Sequence, residues 1–278
     1  MAYQRILTIQ DISCVGQCSL TVALPILSAF GLETAVLPTA VLSTHTGGFD
    51  GWTFLDATDE LPKIFDKWEK NKIDFDCVYT GYLGSAKQIE YVCECKDRFL
   101  RSGGELIVDP VMADNGMLYP GFDDAFVEEM KSLVKKADII LPNITEACFL
   151  TGAQYKDGCC DKDYYEDLIA KLSKAGAKKI VLTGVSFSPD KLGVAVWDGE
   201  KIEYHFEDFI NRRSHGTGDI YASAFTGAYE KGESLLSAAA FAAKFVVKCI
   251  TETKDFSEHF YGVRFEKALG LITDKFLK

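Results

Sequence analysis

The chain has 278 residues, and 30 Lys plus Arg against 41 Asp plus Glu give a formal net charge of -11. Its 47% hydrophobic and 26% charged residues are ordinary globular composition, neither disordered nor fibrous. The acidic balance excludes a general nucleic-acid binder, which needs a clustered positive surface, and speaks against a protein held on anionic membranes. A local anion site stays open.

In chain order, Arg5–Gln10 reads as a short strand and Leu20–Phe30 as a helix closed by Gly31. Its opening apolar stretch is too short for a secretory signal, because Asp11 follows at once. Thr34–Val41 is a strand, Asp59–Lys70 an amphipathic helix and Phe75–Thr80 a strand. Ser85–Arg101 reads as a helix closed by Gly103 and Gly104, and Glu105–Asp109 as an apolar strand ending in Asp. Ala125–Lys135 is a helix, Ala137–Leu141 a strand and Ile144–Leu150 a short helix. Lys162–Lys174 is a helix closed by Gly176, and Lys179–Thr183 a strand. Gly193–Trp197 and Lys201–Phe206 form a hairpin around Asp198-Gly199, and from Gly218 onward the pattern is almost all helical.

Strands alternating with long helices imply βαβ units and a mostly parallel sheet. The strands are apolar throughout, as expected when helices cover both faces. With no linker, charge block or repeat, a single α/β domain over residues 1–278 is the simplest organisation. The longest apolar run, Leu235–Ile250, is interrupted by Lys244 and Lys248 and falls short of the roughly 20 residues of a membrane span. Nine scattered Cys, an odd number, fit free thiols in a reducing cytoplasm.

Ligands in such folds bind beyond the carboxyl ends of the strands. Those positions hold Gln10 and Asp11, then residues 43–48 with His45 and Thr46, then Thr80, Gly81 and Tyr82. Further along come Asp109 and Asp114, then Asn143 and Glu146, then Thr183. The sharpest segment is Asn211-Arg212-Arg213-Ser214-His215-Gly216-Thr217-Gly218-Asp219, which runs into a helix. Two glycines let the backbone turn tightly, and the helix start adds free N–H groups and the positive end of its dipole. That is an anion hole, with Arg212 or Arg213 as a neighbouring cation. A carboxylate there, Asp219, is a poor choice for merely holding phosphate. It makes sense as the acceptor of a proton from a hydroxyl that attacks the phosphate. Asn143-x-x-Glu146 puts two oxygen-bearing side chains on one helix face, where with Asp109 they suit Mg²⁺. The same residues also suit a plain helix start.

These motifs resemble the ribokinase-like superfamily: Asp109-Pro110-Val111-Met112, Pro142-Asn143-Ile144-Thr145-Glu146 with Leu150-Thr151-Gly152, and Gly216-Thr217-Gly218-Asp219. Within it, Ile6-Leu7-Thr8-Ile9-Gln10, Leu42-Ser43-Thr44-His45-Thr46-Gly47 and Thr80-Gly81-Tyr82 are similar to pyridoxal kinases, the vitamin B6 salvage enzymes. The resemblance implies a three-layer α/β/α fold with a central mainly parallel sheet. It implies ATP-dependent phosphorylation of the 5′-hydroxymethyl group of pyridoxal, pyridoxine or pyridoxamine, with Mg²⁺, and leaves a monovalent-cation requirement open. By the same match Asp219 is the catalytic base, with the backbone of Gly216, Thr217 and Gly218 as the anion hole. Asp11, His45, Thr46 and Tyr82 would line the vitamin site. Asn143, Thr183, Asp114 and Arg213 would serve the nucleotide, and Glu146 and Asp109 the metal. A cytoplasmic homodimer is the implied assembly.

Two departures stand out. The family usually has Ser where this chain has Asp11, and commonly Thr where it has Leu141. The rival from the same superfamily is a hydroxymethylpyrimidine kinase of thiamine biosynthesis, or dual specificity. His215-Gly216-Thr217-Gly218 suits that branch too, although it commonly carries Cys at the position of Asp219. An NAD-dependent oxidoreductase lacks support, because no G-x-G-x-x-G follows the first strand. A non-catalytic B6-binding protein would not need Asp219.

Overall fold

The computed structural model describes residues 4–212 and 214–277. The strands among these residues are β1 (Arg5–Ser13), β2 (Glu33–Leu42), β3 (Phe54–Asp56), β4 (Phe75–Thr80), β5 (Leu100–Val108), β6 (Ala113–Asp114), β7 (Met117–Leu118), β8 (Ile139–Ile140), β9 (Ile180–Val185), β10 (Lys191–Trp197) and β11 (Ile202–Asp208). The α-helices among the described residues are α1 (Leu20–Ala29), α2 (Leu61–Lys70), α3 (Ala86–Phe99), α4 (Asp124–Lys136), α5 (Ile144–Thr151), α6 (Lys162–Lys174), α7 (Thr217–Glu230), α8 (Leu235–Thr253) and α9 (Leu269–Phe276). Nine strands form one sheet in the order β11-β10-β9-β8-β5-β4-β1-β2-β3. The run from β9 to β2 is parallel. Antiparallel strands flank it: β10 and β11 at one edge, β3 at the other.

Successive residues of a strand point to opposite faces, and here both faces are apolar. Leu7, Val78 and Leu106 pack with Phe65, Val92, Leu133 and Leu168 from α2, α3, α4 and α6. Their neighbours Ile6, Cys77 and Ile107 pack with Val22, Phe225, Phe245 and Ile272 from α1, α7, α8 and α9. The result is the three-layer α/β/α architecture, with a core on each side of the sheet. Fully burying one such side chain contributes roughly 1.5–3 kcal/mol. One contact bears directly on the site. A Cβ on Gly227 of α7 would run into the Phe30 ring, so only glycine lets α1 lie this close against α7.

The structure alters the expected elements in three places. α3 stops at Phe99, and Gly103 and Gly104 lie in β5 instead of closing the helix. The β4–β5 ladder jumps from Phe75–Leu100 to Cys77–Glu105, so residues 101–104 bulge opposite Asp76, and Arg101 turns back to Asp74 and Asp76. The two-residue strands β6 and β7 and the three-residue β3 are too short to show a period. The chain after Gly218 is broken between α8 and α9, where Phe260 and Tyr261 lie in a turn. The nine cysteines are free thiols. Among the described residues no helix is long and apolar enough to cross a membrane.

Candidate active site

Because the central strands are parallel, their carboxyl ends share one edge, and the loops leaving them converge there. Asp219 is the centre of this region. It sits in the first turn of α7, whose N-cap is Gly216 at φ 73, with no side chain capping the helix. The first amides of α7 are therefore open to an anion. Gly216 is required twice over: its φ is left-handed, and a Cβ there would collide with the Gln17 carbonyl. At Gly218 a Cβ would meet nothing within 4 Å, so that backbone faces free space.

Asp219 Oδ2 accepts the Ser19 backbone N–H at 2.9 Å, and Oδ1 has no partner among the described residues. Burial pushes its pKa up to about 6, against the Ser19 bond, with the nearby Asp11 charge adding to the rise. Asp11 itself is buried and accepts the Ser13 hydroxyl at 3.3 Å. Burial raises its carboxyl above the usual range. Tyr82 faces the same space: burial, then the Asp11 charge, raises its phenol, and its ring packs 5.6 Å from that of Phe122.

Three loops close one side. The His45 N–H donates to the Val15 carbonyl at 2.8 Å, tying residues 43–51 to the loop before α1. The His45 and His215 rings lie 5.1 Å apart, with Gly47 wedged beside both. Burial, helped by His215, lowers the His45 pKa. Thr46 is exposed at the rim.

The other side carries acids. Asp109, at the end of β5, is buried and accepts no side-chain hydrogen bond among the described residues. Burial first, then the charges of Glu146 and Asp219, hold its carboxyl well above the usual range. Asn143 and Glu146 form a reciprocal capping box at the start of α5: Asn143 Oδ1 accepts the Glu146 N–H, and Glu146 Oε2 accepts the Asn143 N–H, each at 2.9 Å. Glu146 Oε1 also takes the Met112 N–H at 3.2 Å, and Asn143 Nδ2 donates to the Ala113 carbonyl at 2.9 Å. Burial pushes Glu146 up to about 8. Thr183 lies on β9 beside Asn143, its N–H on the Pro142 carbonyl at 2.9 Å. Asp114 is exposed and turns onto Asn115. Arg213 lies outside the described residues.

The acid side suits a hard divalent cation. Asp109 brings a carboxylate with no hydrogen-bond donor among the described residues and like charges for neighbours, and a cation would relieve both. Among the described residues no three His, Cys, Asp or Glu side chains are grouped to hold an ion by themselves. Water and a ligand's phosphates would have to complete the shell, which is the usual habit of Mg²⁺.

Reading the sequence alone missed Ser19 and gave His215 no role. Ser19 has φ 50 without being glycine, and no residue pattern announces that. His215 was visible only as the neighbour of Gly216.

A family model described as phosphomethylpyrimidine kinase matches residues 24–264. The chain belongs to the phosphomethylpyrimidine kinase family. A Bacteroides thetaiotaomicron protein assigned by name to phosphomethylpyrimidine kinases, crystallised with pyridoxal, superposes with TM-score 0.91 at 36% identity, covering 98% of this chain and 96% of its own. The pyridoxal kinase of Lactobacillus plantarum superposes with TM-score 0.90 at 33% identity, covering 99% and 98%. The thiamine biosynthetic bifunctional enzyme of Arabidopsis thaliana chloroplasts is 27% identical over 94% of this chain, which spans 51% of that enzyme. Such bifunctional relatives are about twice as long as the chain. Members of this family thus carry both names, and they are small-molecule kinases.

Proposed function

We propose that this chain phosphorylates the hydroxymethyl group of a B6 vitamer (pyridoxal, pyridoxine or pyridoxamine) at the expense of ATP. The observation that carries the reading is Asp219: one oxygen held by Ser19, the other unpartnered among the described residues, beside the N-terminus of α7, which no described side chain caps. A base and an anion hole side by side suit phosphoryl transfer to a hydroxyl. The substrate oxygen forms a bond to the γ-phosphorus while the bond from that phosphorus to the bridging oxygen breaks and ADP leaves. The hydroxyl proton passes to Asp219. A pKa near 6 cannot ionise an alcohol beforehand, but it lets the carboxylate orient the hydroxyl and take the proton late.

The backbone of Gly216, Thr217 and Gly218 receives the charge that develops on the phosphoryl oxygens. Asp11, His45, Thr46 and Tyr82 surround the vitamer, and Asn143, Thr183 and Asp114 border the nucleotide. Magnesium, held on the Asp109 side with Glu146 behind, would supply charge neutralisation of the phosphates.

The B6 reading is supported by Thr44-His45-Thr46-Gly47 and Thr80-Gly81-Tyr82, and by the pyridoxal in the 36%-identical structure. Phosphorylation of hydroxymethylpyrimidine is the second reading, supported by the family match and by His215-Gly216-Thr217-Gly218. The test is ADP release from ATP with each of the three vitamers and hydroxymethylpyrimidine. A kcat/KM highest for a vitamer upholds the first reading. Turnover of hydroxymethylpyrimidine alone replaces it with the second.

A further inference from the structure

Asp11 stands where the β1–β2 ladder loses its register. Gln10 faces Pro38 but Ile12 faces Val41, so β2 carries one extra residue opposite Asp11. The bulge thus lies on β2, and the ladder is locally interrupted at Asp11. Asp11 is only 4% exposed; the Ser13 hydroxyl donates to it through a long 3.3 Å contact, and the Ser19 side chain and a backbone hydrogen bond also favour its charged form. No Lys, Arg or His forms a salt bridge with it among the described residues. The titratable groups that face it are Asp219, Tyr82 and Cys18, and none brings a positive charge. A buried carboxylate costs stability unless something compensates it, and here the fold supplies hydrogen bonds but, among the described residues, no cation. It lies beside the proposed base, in a site that must also receive an anionic nucleotide. A basic nitrogen on the ligand would bring Asp11 the positive charge that its described surroundings lack.

We infer that Asp11 recognises a basic nitrogen of the substrate, the amine of pyridoxamine or the ring nitrogen of any vitamer, through a charge-assisted hydrogen bond. This rests on the B6 reading above and sharpens it, because Asp11 then selects a vitamer over the less basic hydroxymethylpyrimidine.

The experiment measures kcat and KM of the wild type, Asp11→Asn and Asp11→Ser with all four substrates, at several pH values. The expected result is a loss of about tenfold or more in kcat/KM for vitamers in Asp11→Asn, carried by KM, with the pH dependence of KM flattened. Loss confined to pyridoxamine assigns the amine, and equal loss on the three vitamers assigns the ring nitrogen. Both uphold the inference. Unchanged ranking with an unchanged pH profile overturns it. So does an equal loss on all four substrates with the pH profile unmoved, which marks a merely structural role. If the variants misfold, the wild-type KM profile decides: a flat profile for every vitamer overturns the inference. A wild type that turns over no vitamer sinks the parent reading and this one together, whereas a vitamer kinase indifferent to Asp11 sinks this one alone.

Discussion

The Ser19 backbone N–H donates to Asp219 Oδ2 at 2.9 Å, across 200 positions of sequence. Ser19 precedes α1 and Asp219 opens α7, so the bond exists only because α1 lies against α7. In that packing Phe30, which follows α1, lies directly against Gly227. Ser19 holds a left-handed φ of 50, a conformation costing on the order of 1–3 kcal/mol for a residue with a side chain. The bond orients the carboxylate and favours its charged form, while burial works the other way and leaves the pKa near 6.

Asp219 must be ionised to accept a proton. The kcat/KM of the wild type is therefore expected to fall on the acid side with a midpoint near pH 6. Asp219→Asn should lower kcat by about 10²–10⁴-fold with little change in KM, and remove that acid limb. Steady-state rates across pH check both. A variant within a few-fold of wild type contradicts the assigned base.

Gly216→Ala and Gly218→Ala separate backbone geometry from ligand space. The first puts a Cβ on a left-handed residue and into the Gln17 carbonyl, so thermal stability and activity should fall together, stability by about 1–3 kcal/mol. The second meets no protein atom within 4 Å, so the melting temperature should hold or rise while KM for ATP increases. Equal melting temperatures for the two variants would contradict the assignment.

Glu230 closes α7 at the end opposite Asp219. Burial pushes it up to about 7 from an ordinary 4.5, and the charges of Glu105 and Asp76 add to the rise. A carboxyl raised in the folded state contributes stability that is complete below the unfolded value, near 4.5, and is lost as pH rises through about 7. Asp219 and Glu146 are shifted the same way. Glu230→Gln should therefore melt higher than wild type at pH 8, by up to about 3 kcal/mol of stability, and flatten the decline from pH 5 to 8. Melting curves of the two proteins that run parallel across pH would refute this.

The strands and helices that carry long apolar runs were legible in the residues, from Arg5–Gln10, observed as Arg5–Ser13, to Lys179–Thr183, observed as Ile180–Val185. Gly103 and Gly104 misled because glycine after a helix is a usual stop, whereas here the pair serves a bulge opposite Asp76. The positions after the strands pointed to Asp11, Tyr82, Asp109 and Asp219, and the electrostatics show these acids feeling one another. Asn143 and Glu146 carry a local task as well. Their spacing suggested a shared face toward a ligand, but the nearest demand on them is local, because they satisfy each other's backbone amides.

What the sequence determined by itself is periodicity and order: a mostly parallel sheet covered on both faces, a carboxyl-end edge rich in Gly and polar residues, and an Asp behind a glycine turn. These are local properties, written in side chains a few positions apart. Only the tertiary structure decided how charged Asp219 is, what holds it, and that Asp11 is buried with no cation beside it among the described residues. Burial and the approach of Ser19 across 200 positions come from helices packing on a sheet, and no short window of sequence contains them.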